Sequence, residues 1–341
     1  MTAIYTVGAN YVRLNNIFQG DNMTNSDARK VAIIGCGFVG SACAFALMES
    51  GLFSEIVLLD ANTDRAEGEA LDISHGLPFS KPMQIYAGTY DDISDASIII
   101  ITAGTGQKEG ETRLDLVHRN VNIYKSIIPQ IAGRNFKGIL LIVSNPVDIL
   151  TYTALKLSGL PSNRVFGSGT VLDTARLKYL LGEQLGVDPR SVHAFILGEH
   201  GDSEIAAFSS ANVSGIPLKQ FCTDNCGDIC HADKMKEIAE DVKNSAYEII
   251  KKKNATYYGI AMSVRRICEA VVLDQKSILP VSCIQTGQHG ISNVALSMPA
   301  VVGENGVEKN VKVSLNAEEE TAVKKSAEML KDIISELDLD Y

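Results

Sequence analysis

The 341-residue chain has no long hydrophobic run and no excess of positive charge. Its longest apolar stretches, such as Ile139–Val143, have the length of a buried strand, far below the roughly 20 residues that cross a bilayer. Its formal net charge is −10. A surface of that sign repels nucleic acid overall, although a local basic pocket for a small anion stays compatible with it. We therefore expect neither a nucleic-acid partner nor a membrane.

The sequence also has no disulfide framework. Its seven cysteines are an odd number and are scattered along a long chain, so reduced thiols and a cytoplasmic location are the simplest expectation. Cys222, Cys226, Cys230 and His231 have helical spacing and in principle bind zinc. The glycine and acidic residues among them are instead typical of an exposed connection, and we expect no metal.

The first 28 residues are predicted to be an N-terminal extension. Met1–Asn22 fits neither a strand nor a helix, and with Arg13 as its single basic residue it is a poor secretion signal. One hypothesis is that Met23 is the physiological start and that the preceding segment is a translated leader. The alternative is a flexible arm that contacts a neighbouring subunit.

Short apolar strands alternate with helices between Lys30 and Val143. Strands are predicted at Lys30–Ile34, Glu55–Asp60, Met83–Ala87, Ser97–Thr102 and Gly138–Val143, and helices at Val39–Ser50, Thr63–Ser74 and Arg113–Ile131. This alternation predicts a parallel sheet with helices on both faces. The fold class is therefore α/β, with a doubly wound (Rossmann) nucleotide-binding domain over residues 29–167.

The pattern changes after Pro146. Helices are predicted at Val171–Leu181, Lys234–Lys252, Gly259–Leu273 and Ala317–Leu337, and short strands around Val192–Ile196. Ile278–Gln285, Ser292–Val302 and Val307–Val313 are typical of an antiparallel meander. We assign residues 168–341 to an α+β substrate and catalytic domain.

A glycine-rich turn lies between the first strand and the first helix. In Gly35–Gly40 the first glycine allows a tight turn, Gly37 lets the backbone approach a pyrophosphate, and Gly40 lets helix pack on strand. Asp60 ends the second strand and suits a ribose diol, whereas it would repel a 2′-phosphate, so NAD is expected rather than NADP. The alternative is that Asp60 merely caps the next helix. Ala103-Gly104 ends the fourth strand with small residues that leave room for a dinucleotide.

A histidine, an aspartate and an arginine form the candidate catalytic group. His200 lies in Gly198–Asp202 and suits a proton donor and acceptor near neutral pH. Asp173 and Arg176 are three residues apart and share a helix face. A surface ion pair is the alternative, but the nearly uncharged residues before Asp173 predict a buried helix start. Asp173 would then hold the His200 ring, and Arg176 would bind a substrate carboxylate.

Arg113 follows a polar, glycine-containing stretch. Such a segment either is a surface loop or folds down as a lid that expels water and brings Arg113 to a carbonyl. A proton donor, two arginines and a hydride carrier together suit the reduction of a 2-oxo acid.

Five segments resemble the bacterial L-lactate dehydrogenases of the lactate/malate dehydrogenase family: Gly35–Gly40, Gln107–Arg113, Ser144–Asp148, Asp173–Arg176 and Leu197–Asp202. The resemblance covers residues 29–338. It implies that His200 exchanges the proton, Asp173 is its partner, Arg176 anchors the carboxylate and Arg113 polarises the carbonyl. It also implies substrate contacts for Gln107, Asn145, Asp148 and Thr256.

The same resemblance implies an extended NAD site. Its expected residues are Gly35, Gly37, Val39, Gly40, Asp60, Arg65, Tyr90, Ala103, Gly104, Val143, Asn145, Ser168 and Ile260. A homotetramer with a small-molecule substrate is expected from the same source.

Gln107 is the residue that distinguishes a lactate dehydrogenase from a malate dehydrogenase in this sequence. Malate dehydrogenases carry an arginine at the matching lid position, where it binds a second carboxylate. A neutral glutamine leaves that carboxylate without a partner, so the sequence predicts pyruvate and L-lactate. The alternatives are malate or a bulkier 2-hydroxy acid, and, in a different class, an NAD-binding sensor without turnover. The intact catalytic residues argue against the sensor.

The resemblance also bears on regulation. Many bacterial members respond to fructose 1,6-bisphosphate through an arginine and a histidine. His193 matches the histidine, but Lys178 stands at the arginine position. A lysine ammonium cannot make the two parallel hydrogen bonds that an arginine makes to a phosphate. We therefore expect a weak response to fructose 1,6-bisphosphate or none.

Overall fold

The structure, a computed structural model, describes residues 29–106, 110, 112–226, 232–337 and 339, with the side chains of residues 113 and 232 left out. The expected N-terminal extension, Gln107, Cys230 and His231 lie outside the described residues.

The described helices and strands follow one another in the predicted order. The helices are α1 (Phe38–Ser50), α2 (Thr63–Ser74), α3 (Arg113–Ala132), α4 (Val147–Ser158), α5 (Val171–Leu185), α6 (Leu218–Asn225), α7 (Ala232–Lys253), α8 (Tyr258–Val272) and α9 (Ala317–Ser335). The strands are β1 (Lys30–Ile34), β2 (Glu55–Leu59), β3 (Gln84–Ala87), β4 (Ile98–Ile101), β5 (Ile139–Ile142), β6 (Val165–Gly167), β7 (Val192–His193), β8 (Ile196–Leu197), β9 (Ile205–Ala206), β10 (Asn212–Val213), β11 (Ile216–Pro217), β12 (Ser277–Thr286), β13 (Ser292–Gly303) and β14 (Gly306–Asn310).

A nine-stranded sheet forms the centre of the molecule, in the order β14-β13-β12-β6-β5-β4-β1-β2-β3. Strands β1 to β6 pair in parallel, and the chain order reverses between β1 and β4. In doubly wound sheets the crevice at that reversal, outside the carboxyl ends of the strands, binds the ligand. The predicted Rossmann arrangement is therefore present.

Helices cover both faces of this sheet. Ile33 packs in a cluster with residues of α1, α2 and α8, whereas its neighbour Ile34 packs on the other face with residues of α3, α4 and α9. The parallel strands are apolar on both sides for this reason, and Ile98–Ile101 are all buried. Each fully buried isoleucine contributes about 1.5–3 kcal/mol relative to an exposed one.

The predicted meander continues the parallel sheet instead of forming a separate one. Ser282 of β12 pairs antiparallel with Gly167 of β6, and β13 and β14 extend the sheet outward. The expected boundary between residues 167 and 168 thus falls inside a layer that both regions share. Small two- and three-stranded sheets, β8-β9 and β11-β10-β7, lie beside it.

Two helices were absent from the sequence-based prediction, which was wrong at these places. One is α4, which begins directly after Pro146 and ends at Gly159, a residue with left-handed backbone. Proline at a helix start sacrifices no hydrogen bond, and glycine just past the end is a common stop, so the signal was present. The other is the short helix α6. Among the described residues no helix has the length and apolar character needed to span a membrane.

Candidate active site

The glycine-rich turn lies at the carboxyl end of β1, where the chain order reverses. Gly35 has φ +102°, and a Cβ there would lie 2.5 Å from the backbone nitrogen of Ala103. A Cβ on Gly40 would collide with the carbonyl oxygen of Gly35, whereas one on Gly37 would meet open space. Gly35 and Gly40 are therefore required by the fold, whereas Gly37 leaves the N-terminus of α1 bare, without a side chain over it. This bare helix N-terminus fits a pyrophosphate.

Asp60 ties the second strand to this turn. Its Oδ2 accepts a hydrogen bond from the backbone nitrogen of Cys36 at 2.6 Å, and its Oδ1 accepts one from Asn62 at 2.9 Å. The cap of α2 is Asn62, whose side chain accepts from the backbone nitrogen of Arg65. The alternative interpretation of Asp60 as the helix cap is thus wrong.

The other expected NAD residues are distributed around the same edge of the sheet. Ala103, Val143 and Ser168 follow the carboxyl ends of β4, β5 and β6. The remaining positions are Val39 on α1, Arg65 exposed on α2, Tyr90 half-buried after β3, Gly104 and Asn145 exposed beyond β4 and β5, and Ile260 half-buried on α8.

The segment before α8 reaches the nucleotide turn. The ring of Tyr257 stacks on Phe38, the residue after Gly37, with centroids 5.4 Å apart. Thr256, an expected substrate contact, precedes Tyr257 and is half-buried. This stacking brings the start of α8 close to the expected pyrophosphate position.

Asp173 joins the two residues expected to handle the substrate. Its Oδ2 lies 2.6 Å from Nδ1 of His200, and its Oδ1 lies 2.7 Å from Nη1 of Arg176. The Asp173 side chain is 3% exposed, Arg176 13% and His200 24%. The pair is therefore buried, and the alternative of a surface ion pair is wrong.

Electrostatics favours the charged imidazole in this group. Burial alone lowers the pKa of His200, but the adjacent Asp173 carboxylate, together with the smaller effects of Asp148 and Glu204, outweighs it and raises the pKa to about 9. Burial raises the pKa of Asp173, and the neighbouring His200 and Arg176 reverse this and lower it. With Nδ1 bonded to Asp173, Nε2 is the ring nitrogen left to meet a substrate.

Asp148, expected to contact substrate, lies beneath the His200 turn. It is 1% exposed. Its Oδ2 accepts from the backbone nitrogen of His200 at 2.8 Å, and its Oδ1 accepts from the hydroxyls of Ser282 at 2.6 Å and Ser297 at 3.3 Å. Asp148 therefore supports the backbone of the His200 turn from beneath, and its burial leaves it little surface for a substrate. Neither serine could be predicted from the sequence, since no local pattern indicates that β12 and β13 pass under the turn.

A buried asparagine supports the base of the expected lid. Asn120 on α3 is completely buried, accepts from the backbone nitrogen of Thr105 at 2.9 Å and donates to the carbonyl oxygen of Asn145 at 2.7 Å. It thereby links the lid segment to the end of β5. Arg113 is the first residue of α3; its side chain and Gln107 lie outside the described part.

The two residues at the positions of the family's sugar-bisphosphate site lie on neighbouring elements. Lys178 is half-buried on α5, and burial lowers its pKa. His193 is exposed on β7, which packs against α5. In the group considered for zinc, Cys222 is buried in α6 and Cys226 follows its end. Cys230 and His231 lie outside the described residues, so the expectation that this group binds no metal stays a prediction.

Comparison with known proteins agrees with the geometry. Residues 29–167 match the model of the lactate/malate dehydrogenase NAD-binding domain, and residues 170–338 match that of the family's alpha/beta C-terminal domain. The chain belongs to the lactate/malate dehydrogenase family. It is therefore an NAD-dependent oxidoreductase, and the fold class, the cofactor and the resemblance stated from the motifs are confirmed.

Individual relatives are similar over nearly their full length. An L-lactate dehydrogenase of Acetivibrio thermocellus is 54% identical over 315 residues, which are 92% of this chain and 99% of the relative. L-lactate dehydrogenase 1 of Clostridium acetobutylicum is 50% identical, with 90% and 98% covered. The crystal structure of the minor L-lactate dehydrogenase from Enterococcus mundtii, in its ligand-bound form, matches with a TM-score of 0.89 at 42% identity, covering 92% of this chain and all of that one.

Proposed function

We propose that the protein interconverts pyruvate and L-lactate with NADH and NAD. The observation that carries this proposal is the Asp173 carboxylate, which lies 2.6 Å from His200 and 2.7 Å from Arg176 and so holds a proton donor and a cation side by side. Relatives with L-lactate dehydrogenase as their name, 50–54% identical, support it.

The reduction needs a proton, a hydride and a fixed carboxylate. Bound NADH would supply the hydride, held by the glycine-rich turn and by the residues at the carboxyl edge of β2, β4, β5 and β6. Charged His200 donates its Nε2 proton to the carbonyl oxygen while Asp173 retains the Nδ1 proton. Arg176 binds the substrate carboxylate through the nitrogens that Asp173 leaves available. Arg113 polarises the carbonyl when the lid closes.

Substrate choice depends on the lid. Gln107 meets the methyl group of pyruvate without leaving a charge unpaired, whereas the second carboxylate of oxaloacetate would be buried without a cation. Malate, or a bulkier 2-hydroxy acid, is the alternative substrate.

We further propose two functional regions, 29–167 and 168–341, within a cytoplasmic homotetramer. Sedimentation of the purified enzyme would test the tetramer, with a monomer contradicting it.

The response to an effector depends on Lys178. It replaces the arginine that would bind a phosphate, so fructose 1,6-bisphosphate is expected to activate weakly or not at all.

One assay tests the activity. NADH oxidation is followed with pyruvate, oxaloacetate and 2-oxobutyrate, each with and without fructose 1,6-bisphosphate. Pyruvate should have the highest kcat/KM, and His200→Ala should abolish turnover while NADH still binds. Preference for oxaloacetate would favour malate, and NADH binding without any turnover would favour the sensor. Activation by micromolar sugar bisphosphate would contradict the expectation about Lys178.

A further inference from the structure

Glu204 is a buried acid next to the catalytic group, and the mechanism above gives it no task. It lies between His200 and strand β9 and is 5% exposed. One of its carboxylate oxygens, a ring nitrogen of His200 and a carboxylate oxygen of Asp173 all lie within 4.8 Å of one another. Its Oε1 has no hydrogen-bond partner within the described chain.

An unbonded buried oxygen is unfavourable for an ionised carboxylate. A buried charge is stable only with a partner and with hydrogen bonds to its lone pairs, and otherwise the group takes up a proton. The surroundings offer Glu204 little compensation, because Asp173 repels it while His200, Arg176 and Lys243 attract it only in part. Burial first, and then Asp173, raise the pKa of Glu204 to about 8.

The charge balance of the site with a 2-oxo acid bound also favours the protonated form of Glu204. The charges of Asp173 and Arg176 cancel, and a charged His200 cancels the carboxylate of a bound 2-oxo acid. An ionised Glu204 would leave this buried group with an extra negative charge. Asp148, under the His200 backbone, adds a further negative charge when ionised. Lys243 on α7 does not offset it fully, since Lys243 also pairs with Glu240 at 3.6 Å.

We propose that Glu204 is a second proton-binding group of the active site, neutral whenever a 2-oxo acid is bound. At a pH above about 9, where both groups have lost their protons in the free enzyme, binding then takes up a proton on Glu204 as well as one on His200. Glu204 acts through the charge of the site and does not touch the reacting atoms, so it is a positioning residue. This inference rests on the proposed reduction of pyruvate.

The pH dependence of pyruvate binding separates one proton from two. If binding requires one proton, KM rises about tenfold per pH unit above the pKa, and if it requires two, the rise approaches about a hundredfold. We expect the wild-type KM to rise more than tenfold between pH 8.5 and 9.5. Glu204→Gln keeps the shape of the side chain and removes its titratable carboxyl group, so the KM of this variant should rise no more than tenfold over the same pH interval. Glu204→Asp should restore the steeper rise.

One control variant isolates the charge of Glu204. Glu183→Gln removes an exposed acid from α5, the helix that carries Asp173 and Arg176, and should leave the steep rise unchanged. If Glu204 has a structural role only, Glu204→Gln would change the melting temperature or kcat and keep the wild-type steepness. That result would overturn the proposal.

A binding measurement gives a second readout without turnover. Oxamate, a non-reducible isostere of pyruvate, is mixed with the enzyme–NADH complex at pH 9.5, and proton uptake is followed with an indicator. We expect more than one proton per site for wild type and at most one for Glu204→Gln. Equal uptake by the two proteins would contradict the role of Glu204. Absence of pyruvate reduction by wild type would instead contradict the proposed function.

Discussion

The carboxylate of Asp173 lies 2.6 Å from Nδ1 of His200 and leaves Nε2 as the ring nitrogen available to a substrate. With Nδ1 engaged, the proton that we propose His200 to exchange is carried on Nε2. The same carboxylate holds Arg176 through its other oxygen, so the proposed proton donor and the proposed carboxylate anchor share a single buried support.

Pyruvate binding should follow the charge on His200. The charged form dominates below its pKa of about 9 and disappears above it, so the pyruvate KM should be flat near pH 6–7 and rise toward pH 9 and beyond. Lactate should show the opposite preference, because the neutral ring accepts the proton. Initial rates from pH 6 to 9 measure both. A pyruvate KM that does not change over this range would contradict the role of His200.

Replacing Asp173 by asparagine should lower both activity and the pKa of His200. The substitution removes the negative charge that outweighs burial, so the rise in pyruvate KM should begin at a lower pH. We expect kcat/KM at neutral pH to fall about 10²–10⁴-fold, the usual contribution of a positioned acid–base group.

A matched control is available at an exposed ion pair. Asp188→Asn removes a carboxylate that bonds Arg190 at the surface, and its kinetics should remain close to wild type. An Asp173→Asn enzyme with an unshifted pH profile would show that Asp173 does not set the charge of His200.

Two glycines of the nucleotide turn should respond differently to alanine. Gly40→Ala places a methyl group against the Gly35 carbonyl, so we expect a loss of about 1–3 kcal/mol in the free energy of unfolding, as for other overpacked sites. Gly37→Ala meets open space and should unfold like wild type, but it should bind NADH more weakly because its methyl group occupies the phosphate approach. Denaturation curves and NADH fluorescence titrations measure the two effects. Normal stability of Gly40→Ala, or normal NADH affinity of Gly37→Ala, would contradict the assignment concerned.

Gln107→Arg should shift substrate preference toward oxaloacetate. The arginine provides a partner for the second carboxylate under the closed lid, so the oxaloacetate-to-pyruvate ratio of kcat/KM should rise by about tenfold or more, equivalent to about 1.4 kcal/mol. The neutral variant Gln107→Leu should leave oxaloacetate poor. An unchanged or lower ratio for Gln107→Arg would argue against Gln107 as the lid position that meets the substrate side chain.

Local signals predicted most of the fold. Apolar runs such as Ile98–Ile101 mark strands buried on both faces, and Gly35–Gly40 between strand and helix marks the nucleotide turn, because each depends on neighbours in the chain. Helix α4 carried comparable signals in Pro146 and Gly159, which were not used. The sequence also predicted that His200, Asp173 and Arg176 lie together, as they do; their catalytic roles stay a prediction.

By itself the sequence determined the alternation of elements, the NAD turn and the choice of His200 as candidate proton donor, since these follow from short-range pattern and side-chain chemistry. Only the tertiary structure decided that Ser282 and Ser297 hold Asp148 beneath the His200 turn, and that Glu204 lies beside Asp173. Those contacts join residues far apart in the chain or depend on how a turn is packed. Burial and charge at such points are properties of the assembled site, and the spacing of residues along the chain does not determine them.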